Sequence, residues 1–434
     1  MKKGLLFCML LLLTHSVFSQ RAEHVVVITI DGFRPDFYMD SSWHTVHLRE
    51  LLKKGVYAKG VNSVFPSMTY PSHTTIITGV WPAKHGIYYN GMFEPNGPSG
   101  KSYWNNSSIK VPTIWSVAQQ KGLKVASLLW PVSADAPVMY DIPDIGGMGD
   151  SIREQFSKPA GFIADLKKNV FNNADRIDYG KDHNVANIAA YVIKKDQPNL
   201  MTIHFFSVDH YEHEQGRQGP LVKAAVADAD SSVGIIIDAL KTAGIWEKTV
   251  LIVTGDHGFL DVTKSVQPNV WLAKAGLITD VKKGDWKAQF FSVSGSSYLY
   301  LKDKNDSKTL AQVKDILDHL SDEEKKLFRI IDRKQLDAIG GNPEVALALS
   351  GENGASFGNK MTGNAVSPGH GGSHGYFPDF REIRTGFVAY GPGIKQGSII
   401  PEMNLRDITP VIAKLLNLSL PSIEGKIPTG LLTK

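Results

Sequence analysis

Five short apolar runs, rich in β-branched residues, recur along the chain, and most of them run into a turn built of Asp, His, Gly or Pro. Val25–Ile30 leads into Asp31-Gly32, Val125–Trp130 into Pro131, and Met201–Phe206 towards Asp209. Val250–Thr254 leads into Gly255-Asp256-His257-Gly258, and Thr385–Tyr390 into Gly391-Pro392. Unbroken apolar runs suit strands buried on both faces, as in a parallel sheet. Helical patterns alternate with them at Thr113–Gln120, Asn184–Lys195, Val222–Leu240 and Asp407–Leu416. Strand and helix in repeated succession predict an α/β fold, a mostly parallel sheet sandwiched by helices. Ligands of such sheets bind beyond the C-terminal strand ends. Asp31, Asp209 and Asp256 all fall there.

Two stretches break this pattern. From about 284 to 357 the chain has a polar alternating piece (Gly295–Leu301), a charged helix (Ser307–His319) and then Glu323–Leu336. This reads as a small α+β insertion between core segments 20–283 and 358–434. The region from 146 to 182 reads as loop-rich, a candidate lid or pocket wall. At the start, Met1-Lys-Lys precedes an apolar stretch, Gly4–Leu13, too short to span a bilayer, and Val17-Phe-Ser19 offers small residues for cleavage. Residues 1–19 are therefore expected to be a signal peptide and the chain to be exported, periplasmic or secreted. Cys8 is the only cysteine, so the mature chain can use neither disulfide nor thiolate. No later run is long enough for a membrane span. The net charge of +4 includes Lys2 and Lys3, and no basic run marks a nucleic-acid surface.

The chemistry-bearing residues lie at the predicted strand ends. Asp209 and His213 are four apart, so on a helical turn they face one side. Asp256-His257 is an adjacent pair that a tight turn can splay towards one ion. His374 adds another imidazole. Mixed oxygen and nitrogen ligands without thiolate favour zinc, with manganese or iron as the alternatives. Any one of these pairs alone is more simply a cap or a turn; their joint placement at strand ends points to metal. Thr69 precedes an apolar run (Thr74–Gly79) that reads as a helix. A threonine hydroxyl is a poor nucleophile unaided. A bound dication, which lowers the pKa of water from 15.7 to about 7, changes that, and a helix N-terminus favours an anionic phosphate.

The block Thr69-Tyr-Pro-Ser-His73, with Thr78-Gly79, Pro82, His85-Gly86-Ile87 and Asn90, resembles the nucleophile block of the nucleotide pyrophosphatase/phosphodiesterases, of the alkaline phosphatase superfamily. Trp130-Pro-x-Ser133, Thr254-Gly-Asp-His-Gly258 and Gly372-Ser-His-Gly-Tyr376 match further family blocks, in order, over nearly the whole mature chain. The resemblance implies an alkaline-phosphatase-like core and two divalent metal ions. One would be held by Asp31, Thr69, Asp256 and His257, the other by Asp209, His213 and His374. Thr69 would attack phosphorus and form a phospho-threonine intermediate, and Asn90 would donate to a non-bridging oxygen. Ser72, Val132 and Phe206–Val208 depart from the commonest family residues without removing a ligand or the nucleophile.

The expected activity is hydrolysis of phosphodiester or pyrophosphate bonds in nucleotide substrates, with Tyr70 either a stacking platform or a packed wall. Choline or lysophospholipid head-group diesters and phosphomonoesters are the alternatives within the superfamily. A non-catalytic exported metal-binding protein is the alternative outside enzymes. The Lys-x-Arg pair of the monoesterases is not found after Trp130, where Arg153 and Lys158 have the wrong spacing. Ser67-Met-Thr-Tyr-Pro71 does not provide the Cys/Ser-x-Pro-x-Arg block of the sulfatases. His73 and His85 read as structural, and His204, His210 and His370 as neighbours of the site in sequence alone. Asp230-Ser-Ser232 reads as the solvated face of an amphipathic helix.

Overall fold

The computed structural model describes residues 22–145 and 150–433, so the expected signal peptide lies outside the described residues. Strands β1 (His24–Ile30), β2 (Val56–Ala58), β3 (Val125–Leu128), β4 (Tyr140–Ile142), β5 (Leu200–Phe205), β6 (Thr249–Thr254), β7 (Phe387–Tyr390) and β8 (Ser398–Ile400) form one sheet. Their order is β8-β2-β7-β6-β1-β5-β3-β4. The pairs β6–β1, β1–β5, β5–β3 and β3–β4 are parallel, whereas β7 runs antiparallel to both its neighbours. An apolar run reports burial on both faces and not strand direction, which is why Thr385–Tyr390 carried no sign of this reversal.

Helices that frame the sheet include α1 (Val46–Lys54), α2 (Thr69–Thr78), α3 (Ile114–Gln120), α4 (Asp182–Asp196), α5 (Ser207–Gln215), α6 (Pro220–Thr242) and α7 (Ile408–Leu416). Alternate residues of β1 go to opposite cores. Val26, Ile28 and Ile30 meet apolar residues of α1, α4 and α6, whereas Val25 and Val27 meet those of α2, α3 and α7. Burial of each such side chain stabilises by about 1.5–3 kcal/mol, so β1 is fixed from both sides and its C-terminal end is rigid.

The expected loop after residue 146 contains two helices, Asp150–Phe156 and Phe162–Asn169. The second buries one short turn, Phe162, Ile163 and Leu166, too few positions to register as a period. Within the expected insertion, Ala288–Val293, Ser296–Leu301, Leu347–Gly351 and Phe328–Ile331 form an antiparallel sheet in that order. Glu323–Leu336 divides into helix Asp322–Lys325, strand Phe328–Ile331 and helix Arg333–Ala338. The apolar core of this unit also takes in Val266, Val270 and Trp271, upstream of 284. Among the described residues no helix is long and apolar enough to cross a membrane.

Asp230 is not on a solvated face. It is buried in α6, and its carboxylate accepts the His47 and Leu48 N–H groups at 3.0 and 2.8 Å, capping α1. Those donors lie some 180 residues away in sequence, beyond any local pattern. Asp230→Ala should cost about 1–2 kcal/mol, as loss of a cap does; an unchanged melting temperature would count against this role.

Candidate metal centre and nucleophile

The three central strands carry the carboxylates. Ile30 pairs with Phe205 and Thr29 with Thr254, so β5, β1 and β6 end level with one another. Asp31 and Asp256 leave their strands side by side, and Asp209 stands in the first turn of α5 just past β5. Asp31 Oδ1 and Asp256 Oδ2 lie 3.2 and 3.1 Å from His257 Nε2. Asp209 Oδ1 lies 3.5 Å from His213 Nε2 and 3.6 Å from His374 Nε2. The His257 and His374 rings stack with centroids 3.6 Å apart. Ligand atoms of Asp31, Asp256 and His257 lie within 4.8 Å of one another, as do those of Asp209, His257 and His374. His257 thus belongs to both groups, and His213 sits at the solvent-facing rim.

Asp31 and Asp256 each have one tied and one free oxygen. Asp31 Oδ2 faces His204 Nε2 at 3.1 Å, and Asp256 Oδ1 accepts the Gly32 N–H at 3.2 Å. Asp31 Oδ1, Asp256 Oδ2, Asp209 Oδ1 and His257 Nε2 are buried without a hydrogen-bond partner. Nδ1 of His257, His213 and His374 faces the main-chain oxygen of Gly258, Gly372 and Ser67 at 3.3, 3.1 and 2.9 Å. A carbonyl on Nδ1 requires the proton there and leaves the Nε2 lone pair for a cation. Buried polar atoms rarely stay unpaired, so this converging set of orphaned ligand atoms fits divalent metal.

Electrostatics agree. Burial, then the neighbouring Asp209, raises the Asp31 carboxyl well above its ordinary value. Burial, then Asp31, does the same to Asp256. Burial, then His374, holds the His257 imidazole well below the ordinary value, and burial lowers His374 to about 4. Crowded carboxylates and neutral imidazoles are what a nearby dication requires.

Thr69 opens α2, and all ten residues of that helix are buried. The helix tolerates this because its polar groups bond internally: Thr74 and Thr78 hydroxyls donate to the carbonyls of Tyr70 and Thr74. His73 Nδ1 donates to the Thr69 carbonyl at 2.8 Å and its Nε2 meets the Thr29 hydroxyl at 2.8 Å. His85 Nε2 meets the Thr75 hydroxyl at 3.0 Å. Both imidazoles therefore have structural partners. Asn90 Oδ1 accepts the Tyr70 N–H at 2.9 Å, which leaves its amide NH2 as the end able to donate outward. Tyr70 is packed against Ile87 and Val132 and is 8 % exposed, so most of its ring is wall. His210 and His370 are exposed. His204, read from sequence as a bystander, contacts a candidate ligand; a histidine inside an otherwise apolar strand was the available signal.

Comparison with known proteins finds relatives over most of the chain. The family model described as type I phosphodiesterase / nucleotide pyrophosphatase matches residues 25–377. Human ectonucleotide pyrophosphatase/phosphodiesterase family member 5 is 25% identical over 416 residues, 92% of this chain and 75% of that protein. Rat family member 7 is 24% identical over 408 residues, 92% of this chain and 84% of that one. The solved murine family member 5 superposes with a TM-score of 0.71 at 23% identity, covering 94% of this chain and 100% of that chain. The same murine protein in an inactive form, with AMP bound, superposes with a TM-score of 0.70 at 22% identity, covering 95% and 100%. The chain belongs to the type I phosphodiesterase/nucleotide pyrophosphatase family of metal-dependent hydrolases.

Proposed function

We propose that this protein is a two-metal phosphodiesterase or nucleotide pyrophosphatase working through a phospho-threonine at Thr69. The observation that carries the reading is the convergence of orphaned Asp31, Asp209, Asp256 and His257 atoms beyond three level strand ends. Asp31, Thr69, Asp256 and His257 would hold one cation, and Asp209, His213 and His374 the other. Zinc is the favoured ion because the ligands mix oxygen and nitrogen without thiolate. When bound, two dications would supply Lewis-acid stabilisation of charge on the attacking and leaving oxygens.

The residues of the chain do the rest. The Thr69 hydroxyl gives up its proton as its oxygen attacks phosphorus and forms an O–P bond, while the bond to the leaving oxygen breaks and that oxygen departs with the electron pair and takes up a proton from water. Water then cleaves the phospho-threonine and restores the hydroxyl. Asn90, fixed through its Oδ1 to the Tyr70 N–H, presents its NH2 to a non-bridging oxygen, the part of an oxyanion-hole donor. The solved murine relative whose inactive form has a threonine replaced by alanine, and which binds AMP, supports both the nucleophile and a nucleotide substrate. A bovine relative, 24% identical over 256 residues, is named a bis(5'-adenosyl)-triphosphatase, which supports a pyrophosphate bond as the target.

Export fits the expected leader at residues 1–19 and the single cysteine within it. Residues 20–283 and 358–434 form the proposed catalytic core and 284–357 its insertion. The substrate class is tested by comparing rates on p-nitrophenyl thymidine phosphate, a choline phosphodiester and p-nitrophenyl phosphate with zinc-loaded protein. The nucleotide diester should give the highest kcat/KM; dominance of the monoester would overturn the diesterase assignment.

A further inference from the structure

Arg34 and Glu212 form an ion pair at 2.7 Å with side chains 1 % and 0 % exposed. Arg34 is three residues past Asp31. Glu212 lies on α5 between Asp209 and His213. The last main-chain bond between these two segments runs from the Asp31 N–H to the Phe205 carbonyl at 2.7 Å. Beyond it the strands give way to a turn on one side and α5 on the other, and the side-chain pair is the next tie across the gap.

The tie is anchored at several points. The Arg34 guanidinium also donates to the Arg217 carbonyl at 2.9 Å, just past the end of α5, and to both Asp36 oxygens at 3.1 and 3.0 Å. Gly32, at φ +73°, lies against the same carboxylate: a Cβ there would come within 2.6 Å of Glu212 Oε2. Gly32 also gives its N–H to Asp256 Oδ1. The peptide between Asp31 and Arg34 is thus gripped by Glu212 on one side and Asp256 on the other.

Stability is a weak reason for such a pair. Burying two charges costs about what their attraction returns, and apolar replacement of both partners is often neutral. Fixed geometry is the better reason, because side chains that hold ligand-bearing segments in place orient the ligands and tune metal affinity. We propose that the Arg34–Glu212 pair sets the spacing between the Asp31 and the Asp209–His213 halves of the metal centre, which makes both positioning residues. The inference rests on the two-metal reading above.

The test measures zinc stoichiometry and affinity by competition with a chromophoric chelator, alongside kcat and KM, in the full chain. Wild type should take up two zinc ions. Arg34→Met/Glu212→Met removes both buried charges together and leaves only the part-exposed Asp36 carboxylate to be solvated by water, so the variant should fold. It should keep one zinc and bind the other about 10–100-fold more weakly, with kcat reduced and KM near wild type. Arg34→Lys, which keeps the charge, should recover part of the second zinc's affinity. A folded double variant with two zincs at wild-type affinity and wild-type kcat would show the pair to be scaffolding alone and overturn the proposal. If the double variant does not fold, Arg34→Lys decides: weakened second-zinc binding supports the clamp, and wild-type binding overturns it. A wild type that takes up no zinc overturns the two-metal reading and the clamp together. A wild type with two zincs, inactivated by Thr69→Ala, keeps that reading in force while the clamp variants are judged.

Discussion

Thr69→Ala should lower turnover of a nucleotide diester by about 10⁴–10⁶-fold, the range seen when a covalent nucleophile is removed from a preorganised site. The remaining ligand atoms, Asp31 Oδ1, Asp256 Oδ2 and His257 Nε2, stay within 4.8 Å of one another without it. Zinc content should therefore fall little, since three of the four proposed ligands of that ion remain. The fold should also hold, because the bonds that tie α2 to the rest of the protein join His73 to Thr29, Ser72 to Ser63, the Tyr70 N–H to Asn90 and the Ile76 carbonyl to Thr409, and none uses the lost hydroxyl. Turnover and bound zinc, measured in one preparation, give the answer. Undiminished turnover would remove Thr69 from the mechanism, whereas loss of zinc together with activity would make it a ligand first and a nucleophile second.

Chelation should abolish activity and lower the melting temperature, by an amount that depends on pH. A ligand present at a thousandfold excess over its Kd adds about 4 kcal/mol of stability for each site. The sign of the pH effect follows from the carboxyls. Burial, with repulsion from Asp209 on Asp31 and from Asp31 on Asp256, raises both carboxyls above their unfolded values, so over that window the metal-free folded chain binds more protons than the unfolded one. Metal-free stability contributed by these groups therefore falls as pH rises through the window. The imidazoles act in the opposite sense. His374, lowered to about 4, refuses protons that the unfolded chain takes up below about pH 6.5, so its contribution is lost as pH falls. Cations relieve the carboxylate repulsion and compete with protons for every ligand. The zinc-induced gain in melting temperature should accordingly grow from about pH 5 to about pH 7.5, and differential scanning fluorimetry with and without zinc measures it. A gain equal at every pH, or absent, would contradict the crowded-carboxylate account.

The central strands were legible because nothing competes with their signal. β1, β5 and β6 are buried on both faces and mostly apolar, and the residues that follow them announce the site. Helices α3, α4, α6 and α7 came within a few residues of their patterns, since each has a full apolar face. What could not be seen had non-local causes. The direction of β7 depends on which neighbours it joins, and the burial of Asp230 depends on α1 needing a cap. Phe162–Asn169 has a single apolar turn. Around the candidate site, sequence supplied identities and topology supplied proximity: Ser67 and His374 are 307 positions apart, yet the Ser67 carbonyl fixes the His374 tautomer. Arg34 and Glu212 gave no signal at all, because a charge followed by another charge far away is the commonest pattern a sequence contains.

The grip of Ser67 on the segment around His374 has a consequence for biogenesis. Ser67 bonds the His374 ring, the Gly375 N–H and the Tyr376 carbonyl, and β7, still later in the chain, is inserted between β2 and β6. A ribosome therefore releases the threonine early and the parts that complete its surroundings near the end of synthesis. Chains that end before that point would lack β7 from the sheet and the proposed ligand His374, so on the reading proposed above they should be inert until the final third arrives.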